Sequence, residues 1–148
     1  MKLVKKIGII FIPLLVGIIS SLFVDNNLYE KINLPSFAPP SIVFPIVWTI
    51  LYILMGFSLY LIIRDGSTKQ NKFLFALQLF LNFLWVLIFF RFELFLPAFV
   101  IIIIMDVLCF YTIITYFKYN KVSAYLLIPY LVWICFASLL NWMIYIIN

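Results

Sequence analysis

The side chains of this 148-residue chain that could do chemistry are few and regularly spaced. Gln78, Asn82, Trp85 and Phe89 recur at i, i+4, i+7 and i+11, which is one face of a helix. Tyr130, Trp133, Ala137 and Asn141 fall on one face in the same way, and so do Trp48, Tyr52 and Gly56. Asp106 stands alone in an apolar run. Amides and indoles lined up on a face offer hydrogen bonds and flat apolar surfaces, which suit holding a guest. They do not suit covalent catalysis. The chain has no His, and no nucleophile has a base beside it. It has no Walker loop, GxSxG, HExxH or paired carboxylates, so a hydrolase or phosphotransferase has no equipment here. No metal site is expected. Cys109 and Cys135 read most simply as small buried residues.

These faces need elements to carry them, and composition says which. Hydrophobic residues make up 68% of the chain and charged ones 10%, against about 25% charged in a soluble domain. A water-soluble globule and a disordered chain are excluded, and two Cys 26 positions apart speak against a disulfide-stapled secreted domain. A helix needs about 20 apolar residues to cross a bilayer core. Five such runs occur, at about 7–24, 43–63, 73–90, 94–117 and 123–147. The expected fold is an all-α integral membrane protein, a bundle of five transmembrane helices forming a single domain over 1–148. The first run also resembles a cleaved leader, with Lys2, Lys5 and Lys6 ahead of an apolar core and small Ser20 and Ser21 after it. No clear A-x-A site follows, and the run is long enough to span, so it reads as the first helix.

Basic residues set the expected orientation. Lys2, Lys5, Lys6, Arg64, Lys69, Lys72, Lys118 and Lys121 fall on one side, and only Lys31 and Arg91 on the other. The N-terminus is therefore expected in the cytoplasm and the C-terminus outside. The net charge of +5 follows from this topology and is not a nucleic-acid footprint. Few Ala and many Ile, Asn and Lys suggest an AT-rich bacterial genome, and hence a multi-pass protein of a bacterial cytoplasmic membrane.

Polar groups are costly in lipid, so the stripes are expected to face one another around a hollow that opens outward. The connection 25–42, stiffened by Pro35, Pro39 and Pro40, would cover it as a lid. Blander readings stand beside this one. Asn82, Gln78 and Asn141 could be interhelical glue. Trp133 could be plain packing, and Trp48, Trp85 and Trp142 an interfacial belt, most simply so for Trp142, which is off the stripe. Asp106 reads either as a proton relay or, more simply for a lone carboxyl, as a structural acid. Pro129 should kink the last helix, whereas Pro45 and Pro97 sit in tolerated first turns. GxxxG is absent, so no dimer face is marked, and a homodimer stays open.

The stripes coincide with a family pattern. The matching stretches are Pro35-Ser36-Phe37-Ala38-Pro39-Pro40, then Trp48-Thr49-Ile50-Leu51-Tyr52 with Met55-Gly56. Gln78, Leu81, Asn82, Trp85, Phe89 and Phe90 follow, and then Asp106. The last run supplies Ala124, Leu126, Leu127, Pro129, Tyr130, Trp133, Phe136, Ala137, Leu140 and Asn141. In order and spacing, from about Tyr29 to Asn141, the chain resembles the TspO/MBR family of tryptophan-rich sensory proteins. Its mammalian members are called translocator protein or peripheral benzodiazepine receptor.

The resemblance implies a five-helix membrane receptor or sensor that binds porphyrins such as protoporphyrin IX, and benzodiazepine-site ligands, within the bundle. It implies light-dependent porphyrin breakdown in some bacterial members, with Trp48 and Trp133 at the positions implicated. It also puts Tyr29, Gln78, Asn82, Phe89 and Ala137 in or near the pocket. With the stripes, the expected ligand-binding set is Tyr29, Pro40, Trp48, Tyr52, Gln78, Asn82, Trp85, Phe89, Asp106, Trp133, Ala137 and Asn141. No cofactor is required, and the porphyrin is the ligand. Leu28 and Phe37 stand where the family often has Trp, so two lid indoles are missing. The cholesterol signature of mammalian members is absent, since no basic residue follows Tyr145. An exporter of small hydrophobic metabolites with Asp106 titrating is the rival reading. Against it, five helices cannot form a symmetric inverted repeat.

Overall fold

A computed structural model describes residues 2–25, 27–66 and 68–148; Asn26, in the expected lid, lies outside them. Five long apolar helices are α1 (Leu3–Ser21), α3 (Val43–Asp65), α4 (Lys69–Val86), α5 (Phe95–Phe117) and α6 (Lys121–Ile147). Each is long and apolar enough to cross a membrane. The chain is a multi-pass membrane protein. Ile, Leu, Val and Phe supply the runs, and polar residues end them. Thr68 caps α4 by accepting from the Asn71 N–H at 3.0 Å, and Asn120 caps α6 by accepting from the Ser123 N–H at 2.9 Å.

Helix bounds differ from the expectation mostly at the basic end. The first helix begins at Leu3, α4 at Lys69 and α6 at Lys121, so each takes in lysines that hydropathy had left in loops. A lysine stem can lie along the helix while its ammonium reaches water, so a helix outlasts the apolar core it spans. Conversely, α1 stops at Ser21, short of Val24. The expected lid is not all loop either. A one-turn helix, α2 (Leu28–Lys31), sits in it, with Leu28 buried where a family indole would be.

Two irregular features shape the lid end. After Val86 the α4 ladder widens into a π turn, Leu87–Arg91, closed by Phe92 N–H on the Leu87 carbonyl at 3.0 Å. The extra residue per turn brings Phe89 and Phe90 both against Trp85, at centroid distances of 5.4 and 5.8 Å. Glu93 then takes φ 55 in the short connection to α5. Pro129 lies inside α6, which remains one helix across it.

The helices form a closed ring in the order α1, α3, α6, α5, α4 and back to α1. Small residues set the closest approaches. A Cβ on Gly56 would overlap the Ile10 carbonyl, so only glycine lets α1 lie this close on α3. Ser58 and Ser123 clasp α3 to α6, each hydroxyl 2.8 Å from the other residue's backbone carbonyl. Toward the lid α1 and α3 no longer close on each other, and a cavity fills the space.

Candidate functional site

The cavity holds about 540 Å³ and lies between α1, α3 and the lid-side end of α4. Drug-sized guests occupy pockets of about 300–1,000 Å³. Trp48 and Tyr52 project into it from α3, Trp85 and Phe90 from α4 and its π turn, and Tyr29 from the lid. On the α1 side the wall is Leu14, Gly17, Ile18, Ser20, Ser21 and Val24. Gly17 is there because a Cβ would run into the Tyr52 ring.

Trp48 is the hub of the aromatic wall. Its indole stacks on Tyr52 at 5.5 Å and touches Trp85 at 6.1 Å, Tyr130 at 6.2 Å and Trp133 at 6.4 Å. Trp133 lies one layer behind, half-buried against Phe44 at 5.9 Å and Phe136 at 5.5 Å. Its indole N–H has no partner among the described residues. Phe37 of the lid rests on Phe136 at 6.2 Å, taking part of the cover that an indole would give. The lid is closed on itself by one bond and tied to the end of α6 by two. The Tyr29 hydroxyl donates to the Pro39 carbonyl at 2.6 Å, and Asn33 and Asn148 exchange backbone-to-amide bonds of 2.9 and 2.8 Å.

The buried amides form a bonded layer beneath and beside the cavity. The Tyr52 hydroxyl donates to Asn82 Oδ1 at 2.7 Å. Asn82 Nδ2 and Gln78 Nε2 both donate to the Tyr130 hydroxyl, at 3.1 and 3.0 Å. The Trp85 indole N–H donates to Asn141 Oδ1 at 3.0 Å, and Asn141 Nδ2 to the Phe95 carbonyl at 2.9 Å. Bonds of this kind join α3, α4, α5 and α6 at about 0.6 kcal/mol each.

The twelve residues singled out from sequence therefore separate. Tyr29, Trp48, Tyr52 and Trp85 line the cavity. Phe89, Ala137 and Asn141 line a separate void of about 10 Å³ behind Trp85, which Tyr29 and Trp85 also border. Gln78 and Asn82 hold Tyr52 and Tyr130 from below. Asp106 is turned to α6, where the Ser138 hydroxyl lies 2.6 Å from its Oδ2. Pro40 is exposed on the lid. The hollow is thus not enclosed by the striped helices α3 to α6 alone, because α1 supplies a large part of its wall. The signal for α1 was present as Gly17, Ser20 and Ser21, a small-residue face at helical spacing. Among the described residues no three His, Cys, Asp or Glu side chains come together to hold a metal ion.

Comparison with known proteins fits the same arrangement. Residues 9–146 match the TspO/MBR family. The chain belongs to that family. It is 37% identical to the tryptophan-rich protein TspO of Archaeoglobus fulgidus, over all of this chain and 99% of that one. It is 34% identical to the tryptophan-rich protein TspO of Bacillus cereus, over 97% of this chain and 98% of that one. It is 30% identical to the human translocator protein, over 96% of this chain and 89% of that one. The TspO/MBR match begins at Ile9, so it includes the helix that walls the cavity.

Proposed function

We propose that this TspO/MBR protein is a membrane receptor for porphyrins and similar flat apolar guests, held between α1, α3 and α4 under the lid. One observation carries the reading. A 540 Å³ hollow is walled on one side by Trp48, Tyr52 and Trp85 and covered by Tyr29. A tetrapyrrole is a flat, largely apolar disc, and aromatic faces on a rigid bundle suit it. The amide layer under Tyr52 fixes the wall before any guest arrives, which lowers the ordering cost of binding. The eight basic residues at the other end of the bundle support an N-terminus in the cytoplasm and a cavity that opens outside.

Light-dependent breakdown of the pigment is the second part of the proposal. The excited pigment does the chemistry with dissolved dioxygen as the oxidant, and the indoles serve as oxidisable neighbours. Trp48 meets the guest directly, and Trp133 is one ring further at 6.4 Å. The test is a titration of detergent-purified protein with protoporphyrin IX, first in the dark and then under light. Binding is read from quenched tryptophan emission, and breakdown from loss of pigment absorbance with a new product band. Trp48→Phe should lower affinity about fivefold, the loss of about 1 kcal/mol of stacking. Paired with Trp133→Phe it should abolish product while sparing much of the binding. Full turnover in the double variant would remove both indoles from the chemistry, and an unquenched titration would remove the receptor reading.

A further inference from the structure

The cavity wall is unbalanced in charge and in hydrogen-bonding capacity. Among the described residues no Lys or Arg lines it, and the one carboxyl is Asp25, just past the end of α1 at the lid side. Most of its hydroxyl protons are already used within the wall. Ser20 Oγ donates to the Gly17 carbonyl at 2.9 Å, Ser21 Oγ to Ile18 at 2.6 Å and Thr49 Oγ1 to Pro45 at 2.6 Å. Tyr29 and Tyr52 donate to Pro39 and Asn82, and the Trp85 N–H to Asn141. What the hydroxyls among these groups still offer a guest is lone pairs. Among the wall's polar side chains, Trp48 and Ser41 are left without such a bond among the described residues.

Asp25 adds a full negative charge at the mouth. Its Oδ1 accepts from the Asn27 backbone N–H at 2.9 Å and its Oδ2 from Lys31 Nζ at 3.0 Å. These two bonds hold the carboxyl below its usual range, so it is ionised at neutral pH. Lys31 is itself largely exposed, at 61% against 27% for Asp25, so the cation faces water and the anion faces the cavity. A carboxylate on a guest would find only the Trp48 N–H and the Ser41 hydroxyl free to donate inside, and at the entrance one like charge, Asp25, beside two exposed cations, Lys31 and Arg91. Burying it unpaired is costly, so the mouth is its less costly place.

We infer that Asp25 makes the site selective against anionic guests: neutral tetrapyrroles enter fully, and a dicarboxylate porphyrin is held with its acid edge at the mouth, within reach of Lys31. This rests on the porphyrin-receptor reading above. Inside the cavity the apolar edge of the disc lies against Trp48, Tyr52 and Trp85, while the two acid groups stay in water. Lys31 is then divided between Asp25 and the guest.

Protoporphyrin IX and its dimethyl ester have the same ring and differ in these two charges, so they are the probes. Each is titrated by tryptophan quenching at pH 7.5 in detergent, against the native protein, Asp25→Asn and Lys31→Gln. Comparing the ratio of the two affinities across variants cancels their different partition into micelles. The expected result is that Asp25→Asn tightens the diacid about three- to tenfold, with less than a twofold change for the ester. Lys31→Gln should weaken the diacid by a similar factor. Unchanged ratios in both variants would overturn the charge selection and leave the receptor reading intact. Failure of both porphyrins to quench the native protein would overturn the receptor reading and the charge selection together.

Discussion

From mid-membrane to the basic end, small residues let the helices touch, whereas at the lid end aromatic rings hold them apart. Gly56 seats α1 on α3, Ser58 and Ser123 clasp α3 to α6, and Asn71 ties the Gly66 carbonyl at 2.6 Å. The Tyr116 hydroxyl closes that end on the Asn71 carbonyl at 2.9 Å. At the lid end Trp48, Tyr52, Trp85 and Phe90 stand where such residues would otherwise close the seam. Lipid tails are as apolar as the helices, so burial alone does not bring these helices together and local packing decides where they meet. The cavity therefore depends on a tight end that anchors the helices and an open end that cannot collapse onto its rings.

The tight end is most sensitive at Gly56. Gly56→Ala puts a methyl group into the Ile10 carbonyl, and α1 must move away. The expected cost is about 3 kcal/mol, read as a lower melting temperature in detergent. Pigment affinity should fall with it, because α1 is a cavity wall. Next comes the layer between the two ends. Asn82→Leu strands the Tyr52 hydroxyl and leaves Tyr130 with Gln78 as its one remaining donor among the described residues, at a cost of about 1.5 kcal/mol of stability. It should also weaken porphyrin binding by freeing the Tyr52 ring, which a titration would show. The smallest effect sharpens the contrast. Ser58→Ala and Ser123→Ala, alone and together, should give a coupling energy of about 0.6 kcal/mol in a double-mutant cycle. Porphyrin affinity should not change, because the clasp lies at the tight end.

Much of this plan was legible in the sequence, and the limits have physical causes. Five spans follow from hydropathy because lipid requires helices with satisfied backbones. Trp48, Tyr52 and Trp85 were found because periodicity reports a shared face. Periodicity does not report distance across a bundle. Asn82, Gln78 and Asn141 share faces with the wall residues, yet they bond to neighbouring helices. The α1 wall was missed because Gly17, Ser20 and Ser21 carry no costly group, and a search for costly groups passes over them. The π turn has no signal in composition, because it depends on how Phe89 and Phe90 pack on Trp85. Asp25 went unremarked because it lies outside the spans, in a connection whose course only the folded chain defines.

The most direct test of the receptor reading is the structure of this protein with protoporphyrin IX bound. The account predicts the macrocycle between α1 and α3, in contact at about 4 Å with Trp48, Tyr52 and Trp85, with its acid edge toward Lys31. A pigment lying on the lipid-facing surface, with the space between Gly17 and Trp48 empty, would contradict it.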